Sequence, residues 1–355
     1  MRTFCARTLL NFGYYQQEET IRVEDGGSSR FSGEAFLRES QNRSNPAPEP
    51  MEDAPSRPRR INRIAFWLAI ATILSTFWAG VGAWAPYYPL SESLNVESLM
   101  PVRRALLANW LGGLQFSLAL MAILVAHELG HYFLTLVYRV PSTPPLFIPF
   151  PIFSPIGTMG AVIMMQSGTA DRRQIFDIGL AGPLAGLVVA FPILIYAILF
   201  SQPIPYAPAT DLVVGQPLVV QWLAGWLVPD RASQFVQIAN SNLSPLLMAG
   251  WVGLFVTGLN MMPLGQLDGG HVTFGLLGPK SYYLALAAFA AAIGYMLYSQ
   301  VPIFSLMLLL VYLMGLRHPP SSDDSTSLGL PRQIIGWSSL VLPVLCIPGN
   351  PLTSP

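Results

Sequence analysis

An all-α polytopic membrane protein of about six to seven transmembrane helices, with a small membrane-dipping β-hairpin, is the fold class this sequence predicts. Three observations lead there. Of 355 residues 52% are hydrophobic and only 11% charged, too few charges to clothe a water-soluble globule. The stretches 64–85, 105–126 and 179–200 contain no Asp, Glu, Lys or Arg, and each is long enough to cross a hydrocarbon core of about 30 Å. Between the second and third, residues 141–165 are apolar but carry Pro141, Pro144, Pro145, Pro149, Pro151 and Pro155, which forbid a regular helix.

In chain order, residues 1–60 are rich in Ser, Arg, Glu and Pro and too polar to bury a core, so a disordered cytosolic tail is expected. Arg2 and Arg7 precede the first acid, Glu18, as in a transit peptide, but no apolar secretory segment follows. A membrane-embedded domain over 61–350 comes next. Crossings are expected at 64–85, 111–138, 176–200, 246–264, 282–300 and 303–316, with a last short segment at 334–347. Pro302 divides an uncharged run too long for one helix and short for two, so one of that pair is either a crossing or re-entrant.

Charge placement sets the orientation. Arg57, Arg59, Arg60 and Arg63 precede the first crossing, and alternation puts Arg139, Arg172, Arg173, Lys280, Arg317 and Arg332 on the same, cytosolic side. A formal net charge of zero and the lack of a basic stripe argue against nucleic acid as a partner. Cys5 and Cys346 form no metal or redox spacing and read as free thiols. With no convincing transit peptide, a bacterial inner membrane is the expected location.

Inside the second apolar segment stands Val125-Ala126-His127-Glu128-Leu129-Gly130-His131. Imidazoles four residues apart share one helix face and can bind one zinc ion, and Glu128 is placed as general base toward water that the metal acidifies. Two histidines and a glutamate in an otherwise apolar helix cost several kcal/mol unless paired or metal-bound, which disfavours a chance match. Zinc needs a further ligand, and the fourth apolar segment ends in Asn260-Met261-Met262-Pro263-Leu264-Gly265-Gln266-Leu267-Asp268-Gly269-Gly270-His271. Asp268 is the candidate, because Pro263 breaks the helix and the glycines permit tight turns that bring a carboxylate to the metal. The other reading of Asp268 is a helix cap at the membrane surface.

HExxH in one crossing and NxxPxxxLDG in a later one together resemble the site-2 protease family of zinc intramembrane metalloproteases, over about residues 64–316. The resemblance implies that His127, His131 and Asp268 ligate one zinc ion per chain and that Glu128 is catalytic. It further implies an endopeptidase that hydrolyses bonds in or near transmembrane segments of membrane proteins, the chemistry of regulated intramembrane proteolysis. Substrates would be single-pass proteins already trimmed by another protease. The alternatives are a non-catalytic scaffold of the same fold and a metal-binding transporter; an intact Glu128 opposes the first, and the lack of symmetric halves the second.

Around this core the sequence leaves pairs of readings open. The proline-studded segment predicts a hairpin whose strand 158–164 offers an open edge to an extended substrate through Gly157, Thr158, Met159, Gly160 and Ala161, or else a purely structural hairpin. Asn260 either donates to the substrate carbonyl or oxyanion, as the resemblance implies, or makes an interhelical packing bond. Gly179, Gly182 and Gly186 read as close helix packing without chemistry. His271 either supports a metal ligand from behind or is a solvated histidine past a helix end, His318 is a loop residue, and Asp177 is an N-terminal cap or a partner of Arg172 or Arg173. The loop 201–242 is too short for the PDZ-type domain some members of that family carry. Its apolar run 217–228 either lies on the membrane interface, where it would filter substrates, or packs as a short helix.

Overall fold

The computed structural model describes residues 58–166, 168–201, 213–239, 243–299 and 305–349. Residues 1–57 of the expected tail, Cys5 and Pro302 lie outside the described residues, while Pro58 to Arg60, placed in that tail, open α1. The chain is mostly helical: α1 (Pro58–Val81), α2 (Tyr88–Asn95), α3 (Met100–Val137), α4 (Arg172–Phe200), α5 (Leu218–Leu227), α6 (Pro245–Asn260), α7 (Asp268–Leu277), α8 (Ser281–Ser299), α9 (Ser305–Met314), α10 (Leu330–Ser339) and α11 (Leu342–Cys346). Two small sheets interrupt them, β1 (Leu146–Pro149) with β2 (Thr158–Val162) and β3 (Val213–Gly215) with β4 (Gln237–Ala239), both antiparallel.

Among the described residues, four helical segments are long and apolar enough to cross a membrane: Ile61–Val81, Met100–Val137, Arg172–Phe200 and Asp268–Tyr298. The segment expected as one crossing at 246–264 stops at Asn260 after 16 residues, about 24 Å at the helical rise and short of the ~30 Å core. The chain turns through Pro263 and restarts at Asp268, so the break falls at the motif itself. Among the described residues, the expected segments at 303–316 and 334–347 hold α9 and then α10 with α11.

α3, α4 and α6 pack around a core that includes Phe116, Leu120, Leu194, Ile198, Leu247 and Leu254, each fully buried. Their outward faces keep large apolar side chains exposed, among them Leu118, Phe133 and Val188, as lipid contact allows and water does not. α1 joins α3 through Thr76, whose hydroxyl lies 2.8 Å from that of Ser117, which in turn donates to the Ile73 carbonyl.

α4 begins with a capping box: the Asp171 carboxylate accepts from the Gln174 backbone N–H at 2.8 Å, and the Gln174 side chain accepts from the Asp171 N–H at 3.0 Å. Asp171 is therefore the cap that was expected of Asp177. Asp177 sits inside the helix and pairs with Arg332 of α10 through two bonds of 2.8 and 2.9 Å, while Tyr138 donates its hydroxyl to it at 2.6 Å. Arg172 and Arg173, the partners expected for Asp177, reach elsewhere. Arg172 donates to the carbonyls of Gly275 and Leu276 at the end of α7, and Arg173 to Ser327 in the segment 315–329.

The expected hairpin is present, with strand β2 ending at Val162 rather than 164. Leu146 faces Val162 and Phe147 faces Ala161, and an irregularity follows before Pro149 meets Thr158. Gly157 adopts φ +76°, and a side chain there would strike the Ser75 carbonyl; the Ser75 hydroxyl of α1 donates to the Gly157 carbonyl at 2.5 Å. The hairpin is thus fastened at its turn to the first helix.

Candidate metal centre

His127 and His131 lie one turn apart on α3, and both are buried, as is Glu128 between them. Asp268 opens α7, where the turn after α6 delivers it. That turn closes tightly because a Cβ on Gly269 or Gly270 would collide with the carbonyls of Met261 and Gly265. The result brings three side chains from two elements to one point. His127 Nε2 lies 3.1 Å from Asp268 Oδ2, His131 Nε2 lies 3.3 Å from Asp268 Oδ1, and the two Nε2 atoms are 3.3 Å apart.

Those separations fit zinc. Tetrahedral bonds of ~2.0–2.1 Å place neighbouring donor atoms about 3.3 Å apart. The His131 ring is held for such a role: its Nδ1 lies 2.7 Å from the Ile178 carbonyl, which can only accept, so Nδ1 carries a proton and Nε2 is the nitrogen left to face Asp268. His127, His131 and Asp268 are the group that could hold a divalent cation.

α4 does more here than the packing role expected of its glycines. Gly182 lies flat against His131, where any Cβ would collide with the imidazole, and a Cβ on Gly186 would come within 3.2 Å of His127. Gly179 performs the same service for His271, whose Cβ its own would approach to 2.6 Å. One helix face therefore seats three histidines, and its Ile178 carbonyl orients one of them. The GxxGxxxG spacing was the visible signal; what lay opposite it was not.

Asn260, the last residue of α6, places Nδ2 3.3 Å from His127 Nε2, at the edge of the three-donor group. His271 does not lie past a helix end: it belongs to the first turns of α7 and its Nδ1 lies 2.7 Å from His318 Nε2. His318 in turn directs Nδ1 at the Pro319 carbonyl, 2.6 Å away, and stacks on Phe274 at 4.0 Å. Because that carbonyl must accept, His318 carries its proton on Nδ1 and receives one from His271 Nδ1. Burial lowers the pKa of His318 and keeps it neutral, as this arrangement requires. Gly157, Thr158, Met159, Gly160 and Ala161 fall in and just before β2, paired on one side with β1. Met159 is partly exposed and Thr158 buried, its hydroxyl donating to the Ile148 carbonyl at 2.9 Å.

Comparison with known proteins gives this constellation its relatives. The model of peptidase family M50 matches residues 115–300, more than half of the 355-residue chain and both motifs together. The chain belongs to peptidase family M50. Three relatives of this M50 chain are named zinc metalloproteases. The probable zinc metalloprotease EGY1, chloroplastic, of Arabidopsis thaliana is 33% identical over 66% of this chain and 42% of its own length. Its namesake in Oryza sativa subsp. japonica is 32% identical over 53% of this chain and 32% of its own length. The probable zinc metalloprotease EGY2, chloroplastic, of Arabidopsis thaliana is 28% identical over 56% of this chain and 35% of its own length. The M50 chain thus spans less than half the length of these curated relatives. No solved structure matches it. All three relatives are named chloroplastic, so the expected bacterial inner membrane finds no support among them. Zinc, the expected metal, is the metal in all three names.

Proposed function

We propose that this chain is a zinc-dependent intramembrane endopeptidase that hydrolyses peptide bonds in or near the transmembrane segments of membrane proteins. The observation that carries the reading is the convergence of His127, His131 and Asp268 beside the buried Glu128, inside helices apolar enough to span a bilayer. His127 and His131 would hold the metal through Nε2 and Asp268 through its carboxylate. Zinc held there supplies Lewis acidity, polarising a carbonyl and acidifying water toward pKa ~7.

Glu128 would take a proton from the attacking water and return it to the leaving amine, a transfer its burial protects from bulk solvent. Ile178 keeps His131 in one tautomer, so the ligand set does not depend on a chance ring orientation. Asn260 donates its amide to the substrate carbonyl as negative charge develops, the role its position beside His127 favours over packing alone.

The depth of the site follows from α4. At 1.5 Å per residue its 29 residues extend about 43 Å, close to the full bilayer with its headgroups. Gly182 and Gly186, which mark the levels of His131 and His127, lie roughly 15–21 Å along it from Arg172. Bond cleavage would take place within the bilayer, nearer the end of α4 that charge placement assigns to the cytosol. A substrate helix cannot present a carbonyl there while its backbone is internally bonded, so it must unwind. β2 has one edge paired with β1 and offers the other to an extended segment, with Gly157 through Ala161 as the contact stretch.

The test is reconstitution of the full chain in lipid vesicles with a model single-pass substrate. Cleavage is expected to stop on zinc chelation and return on adding zinc. Cutting that persists at undetectable zinc would defeat the proposal.

A further inference from the structure

The segment that follows α9, residues 315–329, supplies no group to the proposed chemistry, yet it lies against both halves of the metal centre. Where it begins, the Met314 carbonyl accepts from the Gln266 side-chain amide at 3.0 Å. Gly265, with φ +46°, makes room for the Gly315 carbonyl, whose oxygen a Cβ there would approach to 2.5 Å. Gln266 and Gly265 belong to the turn between α6 and α7, two and three residues before Asp268. Further along, His318 accepts from His271 and lies flat on Phe274, so it grips one face of α7 just after Asp268.

Beyond His318 the same segment runs beside the start of α4. The Pro320 carbonyl accepts from the Gly168 N–H at 3.1 Å, the Ala170 carbonyl from the Ser322 N–H at 2.9 Å, and the Asp323 carbonyl from the Arg172 N–H at 3.1 Å. The last of these satisfies a donor that the first turn of α4 leaves without a helical acceptor. Arg173 reaches the Ser327 carbonyl, and Leu328 is buried in a cluster with Phe176, Leu180, Met261 and Val272. α4 is the helix whose glycines seat His127 and His131 and whose Ile178 carbonyl orients the latter. One segment is thus bonded to the helix behind the histidines on one side and to the turn and helix that carry the aspartate on the other.

Gly265, Gly269 and Gly270 give the turn around Asp268 a backbone with few steric limits, so its position depends on what holds it from outside. Ligand distances at a metal must be kept to about ±0.2 Å. We propose that residues 314–328 form a clasp that keeps Asp268 in register with His127 and His131, and that His318 is its positioning residue. The inference rests on the metal centre of the proposed function but not on proteolysis.

The full chain is purified in detergent as the unaltered protein, His318→Phe and His318→Gln, and loaded with zinc. Zinc release to a competing chelator and the midpoint of thermal unfolding are both read. Phe keeps a ring against Phe274 and removes the acceptor, whereas Gln carries an amide oxygen at the reach of Nε2 and removes the ring. His318→Phe is expected to keep its zinc in plain buffer but to yield it at a chelator concentration about 10-fold lower than the unaltered chain. His318→Gln is expected to hold zinc as the unaltered chain does, although both variants unfold at a lower temperature. Release that is unchanged in His318→Phe, or that follows the thermal midpoint through both variants, would make His318 a packing residue and overturn the proposal. Should His318→Phe fail to fold, Gln266→Leu, at an exposed position where the clasp begins, takes its place, and unchanged release there overturns the clasp equally. An unaltered chain that takes up no zinc would overturn the metal reading itself, a result distinct from equal release by all chains.

Discussion

His131 shows how much of the site is decided by single atoms. Its Nδ1–H is committed to the Ile178 carbonyl, and its ring lies on a glycine that has no atom to spare for a Cβ. Gly182→Ala would place a methyl group where the imidazole stands. Zinc affinity is expected to fall at least ~10-fold while the chain still inserts in membranes; metal analysis of the purified variant checks this, and a full zinc complement would refute the contact. His318 acts at one remove. His318→Phe keeps the stacking on Phe274 but leaves the His271 N–H without its acceptor, so a loss of about 1–2 kcal/mol is expected, read as a lower midpoint of thermal inactivation with zinc retained. HExxH and the LDG run were legible because each residue's chemistry is intrinsic and the spacing places it on a known face. The His271–His318 bond was not, because forty-seven residues separate its members and only the folded path of the chain brings them together.

At the scale of elements, α10 is tied to α4 by Arg332 and Asp177, with Tyr138 of the segment after α3 completing the node. Arg332→Ala removes a two-bond partner from a carboxylate, and a cost of about 1–3 kcal/mol is expected in thermal inactivation. Adding Asp177→Asn should recover part of that loss, because no unpaired charge then remains; strict additivity of the two changes would contradict a direct interaction. Partial burial first, and the Asp177 carboxylate second, hold the Tyr138 phenol above its usual pKa of about 10. A raised pKa on a group that is neutral when protonated means its contribution is full below pH ~10 and is lost as pH climbs through the higher folded value. Tyr138→Phe should abolish that alkaline step. Hydropathy could not foresee this node, since Asp177, Arg332 and Tyr138 each look like an ordinary helix-end residue. The hairpin, by contrast, was legible from six prolines, which exclude helix at a depth where irregular backbone must be covered. The small β3–β4 sheet was missed because strands of three residues are too short for any alternation to show.

For the whole molecule the broken α6–α7 passage is the central device. The turn through Pro263 between the end of α6 and the start of α7 puts the first residue of α7, with its carboxylate, beside a buried turn of α3. Counting apolar residues reads that passage as one uninterrupted helix and misses the break at the motif. Orientation is the remaining expectation at this scale. With Cys5 and Cys346 replaced by Ala, S325C should react with a membrane-impermeant thiol reagent from the cytosolic side and D230C only from the opposite side. Labelling of both from one side would contradict the assigned topology.

The most direct test of the account is zinc content measured alongside cleavage of a model transmembrane substrate, comparing the unaltered chain with Glu128→Gln and Asp268→Ala. Glu128→Gln is expected to keep its zinc and lose cleavage by at least roughly 10²-fold, while Asp268→Ala loses both. An unaltered chain without zinc, or a Glu128→Gln variant that cuts as well as the unaltered chain, would contradict the account at its centre.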